Sequence, residues 1–349
     1  MVAEKRLPFA SDYQQGAHPR ILERLAGANM EANAGYGADV HSEHARELIR
    51  AACNAPQAEV HFLVGGTQAN AVAIDALLAL WQGVIAADSG HVSIHEAGAI
   101  EACGHKVIQL PERDGKLDAA DVDVLATSWE HDENHDHMVM PGLVYISQPT
   151  EYGTLYTLDE LTALRAACDA HGMRLYVDGA RLAHVLTAPR NNVQLADLAR
   201  LTDAFYIGGT KCGALLGEAM VFPGQGTCPH FFTLMKRRGA LLAKGMVAGI
   251  QFETLFDGGL YRQIGARAVK QASRIAQAFQ AAGCQLMHPQ ETNQVFAALD
   301  ENRYAQLSAC VEMSFWERLA DGRTVVRLAT SWATSNEDVD ALVALLGAD

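Results

Sequence analysis

Between residues 58 and 222 the sequence alternates short apolar runs with longer amphipathic stretches. The apolar runs are VHFLV (60–64), GVIAAD (83–88), KVIQL (106–110), LVYISQ (143–148), RLYVDG (174–179), AFYIGG (204–209) and GEAMVF (217–222). Runs of this length are typical of strands buried on both faces, and the stretches between them, such as LDELTALRAACDAHG, have a helical pattern. The alternation therefore predicts an α/β domain with a mainly parallel sheet, to which GEAMVF could add an antiparallel strand.

Beyond this region the pattern changes to a long helical stretch followed by a few strand-like runs. The helical stretch covers residues 231–282 with a break near Asp257-Gly258-Gly259, and it precedes QVFAAL, TVVRLATS and the helical segment NEDVDALVALLG. A chain of 349 residues is long enough for about two domains. We predict a large domain over residues 1–255, including the N-terminal segment, and a smaller α/β domain over residues 256–349.

The composition excludes several classes of protein. A hydrophobic content of 49% and a charged content of 19% describe a compact globular chain rather than a disordered one. The net charge of −14 argues against a nucleic-acid or anionic membrane surface. No run approaches the roughly 20 apolar residues that a membrane span needs. Because the seven cysteines are scattered and the N-terminus lacks the apolar core of a signal peptide, we expect a cytoplasmic protein.

Polar residues follow several of the apolar runs at the point where each predicted strand ends. They are Gly65, His91, Thr150, Asp178 and Lys211. Ligands of parallel sheets bind at the carboxyl edge of the strands, so we expect these residues to share one site. A P-loop is excluded, because Lys211 lies between a threonine and a cysteine rather than in Gly-Lys-Ser/Thr.

Three motifs at this edge together specify a cofactor. The turn in VGGTQANAVAIDALL offers the amides of Gly66 and Thr67 to a phosphate, although an ordinary capped turn would look the same. Asp178 ends a buried strand beside Arg181, where it could keep a pyridine nitrogen protonated or form a structural ion pair. Lys211 follows one strand–helix–strand step later and could form a Schiff base. Jointly these parts predict pyridoxal 5′-phosphate (PLP), whereas the GxGxxG pattern of nicotinamide cofactors is missing here.

The same motifs belong to a set that carries a family resemblance over nearly the whole chain. The set is FASDYQQGAHP (9–19), NAGYGAD (33–39), GGTQAN (65–70), HVSIHEAGA (91–99), SQPTEYGTLY (147–156), DGARLA (178–183), GGTKCGALLGEA (208–219) and VVRLATSW (325–332). On these segments the sequence resembles the low-specificity L-threonine aldolases, fold-type-I PLP enzymes within the β-eliminating lyase group. DGAR, GTKxG and HxxxxEAGA together distinguish this family from the aminotransferases.

The resemblance implies a fold, an activity and an assembly. The fold would be that of the fold-type-I PLP-dependent transferases, with a mainly parallel seven-stranded sheet and a smaller C-terminal α/β domain. The activity would be the reversible cleavage of L-β-hydroxy-α-amino acids, such as L-threonine, L-allo-threonine and phenylserine-like compounds, to glycine and an aldehyde. The protein would form a homodimer or homotetramer with its sites at the dimer interface.

The resemblance also implies roles for individual residues. The cofactor would be bound by Gly66, Thr67, His91, Asp178, Arg181 and Lys211, with His91 stacked on its ring. The substrate would be bound by Ser11, Tyr36, Arg181 and Arg327. The catalytic residues would be Lys211, His91 and Glu151. Glu151 stands where many family members carry a histidine, so the catalytic base is left open between Glu151 itself and a water that it organises, with His91 assisting proton transfer.

Other interpretations stay open at this point. The activity could instead be a β-elimination or a transamination, and a non-catalytic PLP-binding protein is the alternative from another class. The tract with His131, His135 and His137 suggests a metal, but no rigid element fixes it, so we expect no metal site. His95 is expected to serve in packing or in support of His91. The basic run 236–238 is expected to form a solvated helix face or to reach a neighbouring subunit's phosphate.

Overall fold

The structure, a computed structural model, describes residues 6–347. Its strands are β1 (Leu7–Pro8), β2 (Glu59–Leu63), β3 (Gln82–Ala87), β4 (Val107–Leu110), β5 (Met140–Ser147), β6 (Arg174–Asp178), β7 (Ala204–Gly208), β8 (Glu218–Phe222), β9 (Gln285–Leu286), β10 (Gln294–Leu299), β11 (Val311–Glu312), β12 (Ser314–Arg318) and β13 (Thr324–Ala329). Its helices are α1 (Pro19–Gly27), α2 (Val40–Ala52), α3 (Gly66–Leu77), α4 (His91–Ile94), α5 (Ala119–His131), α6 (Leu158–Ala170), α7 (Leu182–Val185), α8 (Leu195–Leu201), α9 (Phe231–Arg237), α10 (Met246–Phe256), α11 (Leu260–Ala281), α12 (Glu301–Cys310) and α13 (Asn336–Leu346).

Among the described residues, seven strands form a central sheet in the order β2-β8-β7-β6-β5-β3-β4. Neighbouring strands are parallel except that β8 runs antiparallel to both β2 and β7. Helices cover both faces, because Val144 of β5 packs into a cluster with α5 and α6 while Tyr145 packs on the other side with α3. The predicted α/β fold with a mainly parallel sheet is confirmed, including the antiparallel strand at GEAMVF.

The strand ends bring the chemically interesting residues to one edge of this sheet. Ser147 and Asp178 are register partners at the ends of β5 and β6. The first residue of the antiparallel strand β8, Glu218, pairs with the last residue of β7, Gly208. Between β7 and β8 the chain turns through a short 3₁₀ segment, residues 210–212, that contains Lys211. The strand ends and the turn between β7 and β8 therefore place the carboxyl groups of Asp178 and Glu218 and the amine of Lys211 at the same edge of the sheet.

A second sheet lies toward the C-terminus. In the part of the chain that the structure describes it has the strand order β12-β13-β10-β9, antiparallel throughout, and it packs against α11 and α13. The predicted runs QVFAAL, TVVRLATS and NEDVDALVALLG correspond to β10, β13 and α13. The N-terminal strand β1 pairs in parallel with β11, and Phe9 is buried in the same cluster. The division between residues 255 and 256 stays a prediction.

The long helical region after residue 230 is interrupted in two places. The expected break falls between α10 and α11, where Gly258 and Gly259 adopt φ angles of 66° and 71°. Left-handed backbone of this kind favours glycine, which explains why the pair ends a helix. A further break, which we did not predict from the sequence, separates α9 from α10, where Gly239 adopts a φ angle of 68°.

Candidate active site

Two adjoining cavities open at the carboxyl edge of the central sheet. The first has a volume of about 350 Å³, and the predicted residues that line it are Gly66, Thr67, His91, Glu151, Asp178, Arg181 and Lys211. The second has a volume of about 590 Å³, shares His91, Glu151, Arg181 and Lys211 with the first, and adds His95, Trp316 and Arg327. The structure thus brings most of the predicted site residues into one continuous space.

The first turn of α3 forms one end of the first cavity. Its N-cap residue is Gly65, which has no side chain to accept a hydrogen bond from the helix amides. The space where a side chain would lie is open. No side chain of residues 6–347 accepts a hydrogen bond from the amides of Gly66 and Thr67. Unsatisfied amides at a helix N-terminus, together with the helix dipole, bind phosphate groups well. The sequence GGT is therefore suited to hold the phosphate of a cofactor.

Asp178 lies buried at the floor of this cavity. Its Oδ2 accepts hydrogen bonds from Asn70 Nδ2 at 2.9 Å and Tyr145 OH at 2.8 Å, and its Oδ1 accepts from Tyr206 OH. Burial alone would raise the pKa of Asp178, but nearby His91 and the donated hydrogen bonds keep that pKa below its usual value. The carboxylate is therefore held ionised in a dry environment, where it can keep a pyridine nitrogen protonated.

A chain of hydrogen bonds connects Asp178 to His91. Asn70 Nδ2 also donates to Glu96 Oε1 at 2.7 Å, and the same oxygen lies 2.8 Å from His91 Nδ1. Burial opposes protonation of His91, but the bond to Glu96 and the charge of Asp178 raise the pKa of the imidazole. Burial also raises the pKa of Glu96, against the effect of its two donors. His91 is thus fixed in orientation, with its ring against the cavity.

Lys211 projects into the cavity from the turn after β7. Burial and the adjacent guanidinium of Arg181 lower its pKa. Within residues 6–347 its Nζ makes no hydrogen bond that would hold it in place, so the amine is available to react. Burial also raises the pKa of the neighbouring Glu218 to about 8, which favours the protonated form of this carboxyl group. A lysine amine of lowered pKa is what imine formation with an aldehyde needs.

Arg181 is held in place by Asp12, a residue from the N-terminal segment. Asp12 accepts hydrogen bonds from Arg181 Nε at 2.6 Å and from Nη2 at 3.1 Å, and also from Asn293 Nδ2 at 2.9 Å. Burial alone would raise the pKa of Asp12, but the guanidinium of Arg181 brings it well below its usual range. This forked ion pair orients the remaining edge of Arg181 toward Lys211 and the cavity.

Arg327 supplies a second guanidinium, on β13, at the wall of the second cavity. Its Nη2 donates to Ala10 O and to Ser314 Oγ, both at 3.2 Å. Its buried Nε has no hydrogen-bond partner among the described residues. Burial and the charge of Arg181 lower the pKa of Arg327. A buried donor without an acceptor is costly, and a substrate carboxylate would satisfy it.

Glu151 lies where the two cavities meet, between His91 and β5. Its Oε1 accepts hydrogen bonds from Ser147 Oγ at 2.7 Å and from the His91 amide at 3.0 Å. Burial raises its pKa, and the bond from Ser147 only partly offsets this effect. Glu151 is therefore an ordered carboxyl group that already has two donors on one oxygen.

Two predicted residues are not brought into these cavities. The hydroxyl of Ser11 accepts a hydrogen bond from the Tyr13 amide within its own loop. Tyr36 lies in a separate cleft, with the ammonium of Lys236 at 4.4 Å from its ring centroid. Ser11 and Tyr36 therefore lie outside both cavities of a single chain, although they belong to the same set of motifs as the residues that line them.

The histidine-rich tract singled out in the sequence lies apart from both cavities. Within residues 6–347 no group of three or more His, Cys, Asp and Glu side chains is arranged to hold a metal ion, and the tract of His131, His135 and His137 is part of that range. In the same range we find no helix whose length and apolar character would let it cross a membrane.

Sequence reasoning missed several polar residues that complete the site. They are Asp12, Asn70, Glu96, Tyr145, Tyr206 and Glu218. Most of them lie inside quoted motifs, for example Asn70 in GGTQAN and Glu96 in HVSIHEAGA. A buried polar residue next to a candidate site is the signal that could have found them, but burial is known only once the fold is known.

The site fits PLP on three observations. The amides of Gly66 and Thr67 are unsatisfied, Asp178 is a buried anion, and Lys211 is an amine of lowered pKa that lines the same cavity. These groups would hold the phosphate, the ring nitrogen and the aldehyde carbon of the cofactor. Fold and cavity together define a fold-type-I PLP enzyme. An aspartate aminotransferase of Thermus thermophilus has this fold, with a TM-score of 0.71 at 17% identity, covering 99% of this chain and 97% of the other.

The chain belongs to the beta-eliminating lyase family, whose sequence model matches residues 8–302. It is 30% identical to a low specificity L-threonine aldolase of Pseudomonas aeruginosa, over 96% of this chain and 95% of the relative. A solved structure of Leishmania major threonine aldolase is similar with a TM-score of 0.95 at 44% identity, covering 98% of each chain. The family resemblance, the fold class and the PLP cofactor predicted from the sequence are confirmed.

Proposed function

We propose that the protein is a PLP-dependent aldolase that reversibly cleaves L-β-hydroxy-α-amino acids to glycine and an aldehyde. The observation that carries this proposal is the placement of Lys211 and Arg181 where two adjoining cavities meet, with Asp178 lining the first cavity and Arg327 the second. The relatives named as threonine aldolases over nearly the full chain support it. L-Threonine, L-allo-threonine and phenylserine-like compounds are the proposed substrates.

Each residue would contribute a distinct part of the chemistry. Bound PLP would supply an electron sink for the bond that breaks between Cα and Cβ. Asp178 would keep a proton on the ring nitrogen, and Lys211 would hold and release the cofactor's aldehyde carbon. Arg327 and Arg181 would bind the substrate carboxylate, and so orient the Cα–Cβ bond perpendicular to the cofactor ring. His91 would stack on that ring.

The expected role of Glu151 also stays a proposal. Its carboxyl group could act as a base, or it could organise a water that does. The hydrogen bonds from Ser147 and from the His91 amide show that one of its oxygens is committed to the protein. The second oxygen is the one that could meet water or substrate.

Product analysis tests the function. The PLP-loaded protein is incubated with L-threonine, L-allo-threonine and L-phenylserine, and the products are identified by chromatography. An aldolase releases glycine and an aldehyde in equal amounts. A β-eliminating enzyme would release ammonia and an α-keto acid, and an aminotransferase would form a keto acid only with an amino acceptor. A binding protein without activity would leave all three amino acids unchanged.

Replacing Arg327 with alanine should weaken substrate binding while leaving cofactor binding intact. Charge-assisted hydrogen bonds to a carboxylate contribute about 1.5–3 kcal/mol, so KM for L-threonine should rise about 10- to 100-fold. The matched control is Arg323→Ala, which removes an exposed arginine that is bound to Asp321 and Gln285 instead. The carboxylate assignment is wrong if Arg327→Ala binds glycine as tightly as the wild type.

Two substitutions at His91 separate stacking from proton transfer. His91→Phe keeps an aromatic ring against the cavity but loses the bond to Glu96, so turnover should fall about 10- to 100-fold with normal PLP affinity. His91→Ala should lower turnover and also PLP affinity. Both quantities are measured by titration and initial rates. Wild-type turnover in His91→Phe would limit this residue to ring packing.

The proposal extends to assembly and location. We propose a homodimer or homotetramer with sites at the dimer interface, because Tyr36 and Phe232 are exposed large side chains in a cleft that lies apart from the cavity of the same chain. Sedimentation velocity measures the assembly directly.

We also propose a cytoplasmic location, which agrees with the lack of any disulfide among the cysteines of residues 6–347.

A further inference from the structure

His95 is an imidazole at the wall of the second cavity that the proposed roles leave unused. It directly follows α4, and its amide donates to His91 O at 2.8 Å. Its ring centroid lies 5.6 Å from that of His91 and 6.4 Å from that of Trp316. The ring therefore lies between the residue expected to stack on the cofactor and an aromatic wall on the far side of the cavity.

Two other groups of this cavity that could accept a proton, His91 and Glu151, already have polar partners. His91 Nδ1 is bonded to Glu96, and Glu151 Oε1 accepts from Ser147 and from the His91 amide. No described residue forms a hydrogen bond with either ring nitrogen of His95, which is exposed toward the cavity. Its nitrogens are available to a ligand without breaking an existing contact.

The surroundings of His95 favour the neutral ring. Partial burial lowers its pKa, and the positive charges of His91, Arg327 and Lys211 act in the same direction. At pH 7 the imidazole is therefore uncharged and has a nitrogen lone pair that can accept a proton. As the pH falls through this lowered pKa, the ring gains a proton and that capacity is lost.

We propose that His95 is the general base that takes the proton of the substrate's β-hydroxyl group as the Cα–Cβ bond breaks. The inference rests on the proposed aldolase function. It assigns the catalytic base, which the sequence left open because Glu151 stands where many family members carry a histidine. Lys211, Arg327 and His95 all line the second cavity, so a substrate with its carboxylate on Arg327 and its amine at Lys211 would have its β-hydroxyl group in the space that His95 borders.

The step balances in atoms and electrons. A nitrogen of His95 forms a bond to the hydroxyl hydrogen, and the O–H electron pair becomes the second bond of the aldehyde C=O group. The electron pair of the Cα–Cβ bond stays on Cα, where bound PLP would serve as the electron sink. His95 then releases the proton to water at its exposed edge, and Cα gains one proton from water. Glycine and the aldehyde together contain the atoms of the substrate.

The test compares cleavage with a reaction that has no β-hydroxyl proton to remove. In PLP-loaded His95→Gln, we expect aldehyde release from L-threonine to fall by about 100-fold or more. Exchange of the glycine α-proton with D₂O, followed by NMR, should stay at the wild-type rate, because it requires Lys211 and Asp178 but no hydroxyl base. The acid limb of the wild-type cleavage pH profile should be missing in the variant.

The matched control is His137→Gln, which changes an exposed histidine outside both cavities and should leave both reactions unchanged. Wild-type cleavage in His95→Gln overturns the inference. Equal loss of cleavage and glycine exchange also overturns it, because His95 would then support the cofactor rather than the hydroxyl. A wild-type protein that exchanges glycine but cleaves no hydroxy amino acid overturns the aldolase proposal, and the inference with it.

Discussion

Replacing Lys211 with alanine should reduce aldehyde release from L-threonine by at least about a thousandfold. The variant loses the amine that holds the cofactor covalently and that exchanges with the substrate. PLP should still bind, because the amides of Gly66 and Thr67 and the carboxylate of Asp178 are unchanged. Initial rates and equilibrium dialysis with PLP measure the two quantities.

The control for this substitution is Lys106→Ala, which removes an exposed lysine outside both cavities. It should keep wild-type rates and wild-type PLP affinity. Normal aldehyde release in Lys211→Ala would contradict the assignment of this residue. A variant that no longer binds PLP at all would show that the amides and Asp178 do not form the cofactor site described above.

Asp178→Asn should lower turnover by about two to three orders of magnitude, because the amide cannot keep the pyridine nitrogen protonated. The shape of the side chain is conserved, but one acceptor oxygen is replaced by a donor that faces Tyr145 or Tyr206, so stability should fall as well. Urea unfolding is therefore measured beside the turnover of the folded fraction.

Asp203→Asn is the matched control for this effect. Asp203 is a partly buried aspartate outside both cavities, where it accepts hydrogen bonds from Arg165 and Arg174, both at 2.7 Å. Its substitution should reduce stability and leave the turnover of folded protein unchanged. If Asp178→Asn resembles this control, the charge of Asp178 has no part in the reaction.

The sequence predicted the central sheet well because its strands are buried on both faces. Such strands leave continuous apolar runs, as in AFYIGG and LVYISQ, and their ends mark the edge where polar residues gather. The strand β12, with the sequence SFWER, was missed because its residues are only partly buried and follow no apolar pattern. Local patterns therefore describe the buried sheet better than the small exposed one.

The candidate site could be predicted only in part. Asp178 and Lys211 each follow a buried strand, so position along the chain was enough to find them. Asp12 and Arg181 are 169 residues apart in the sequence and meet only in the fold, so no local pattern links them. The same holds for His95, whose position beside Trp316 depends on how the four-stranded sheet packs against the segment that follows β3 of the central sheet.

The central claim is that Lys211 carries the cofactor at the edge of the sheet. Reduction of the PLP-loaded protein with borohydride, followed by proteolysis and mass spectrometry, identifies the lysine that is bound to the cofactor. We expect the modified residue to lie in the peptide that contains AFYIGGTKCGALLGEA, at Lys211. Modification of a different lysine, with Lys211 unmodified, would contradict the account.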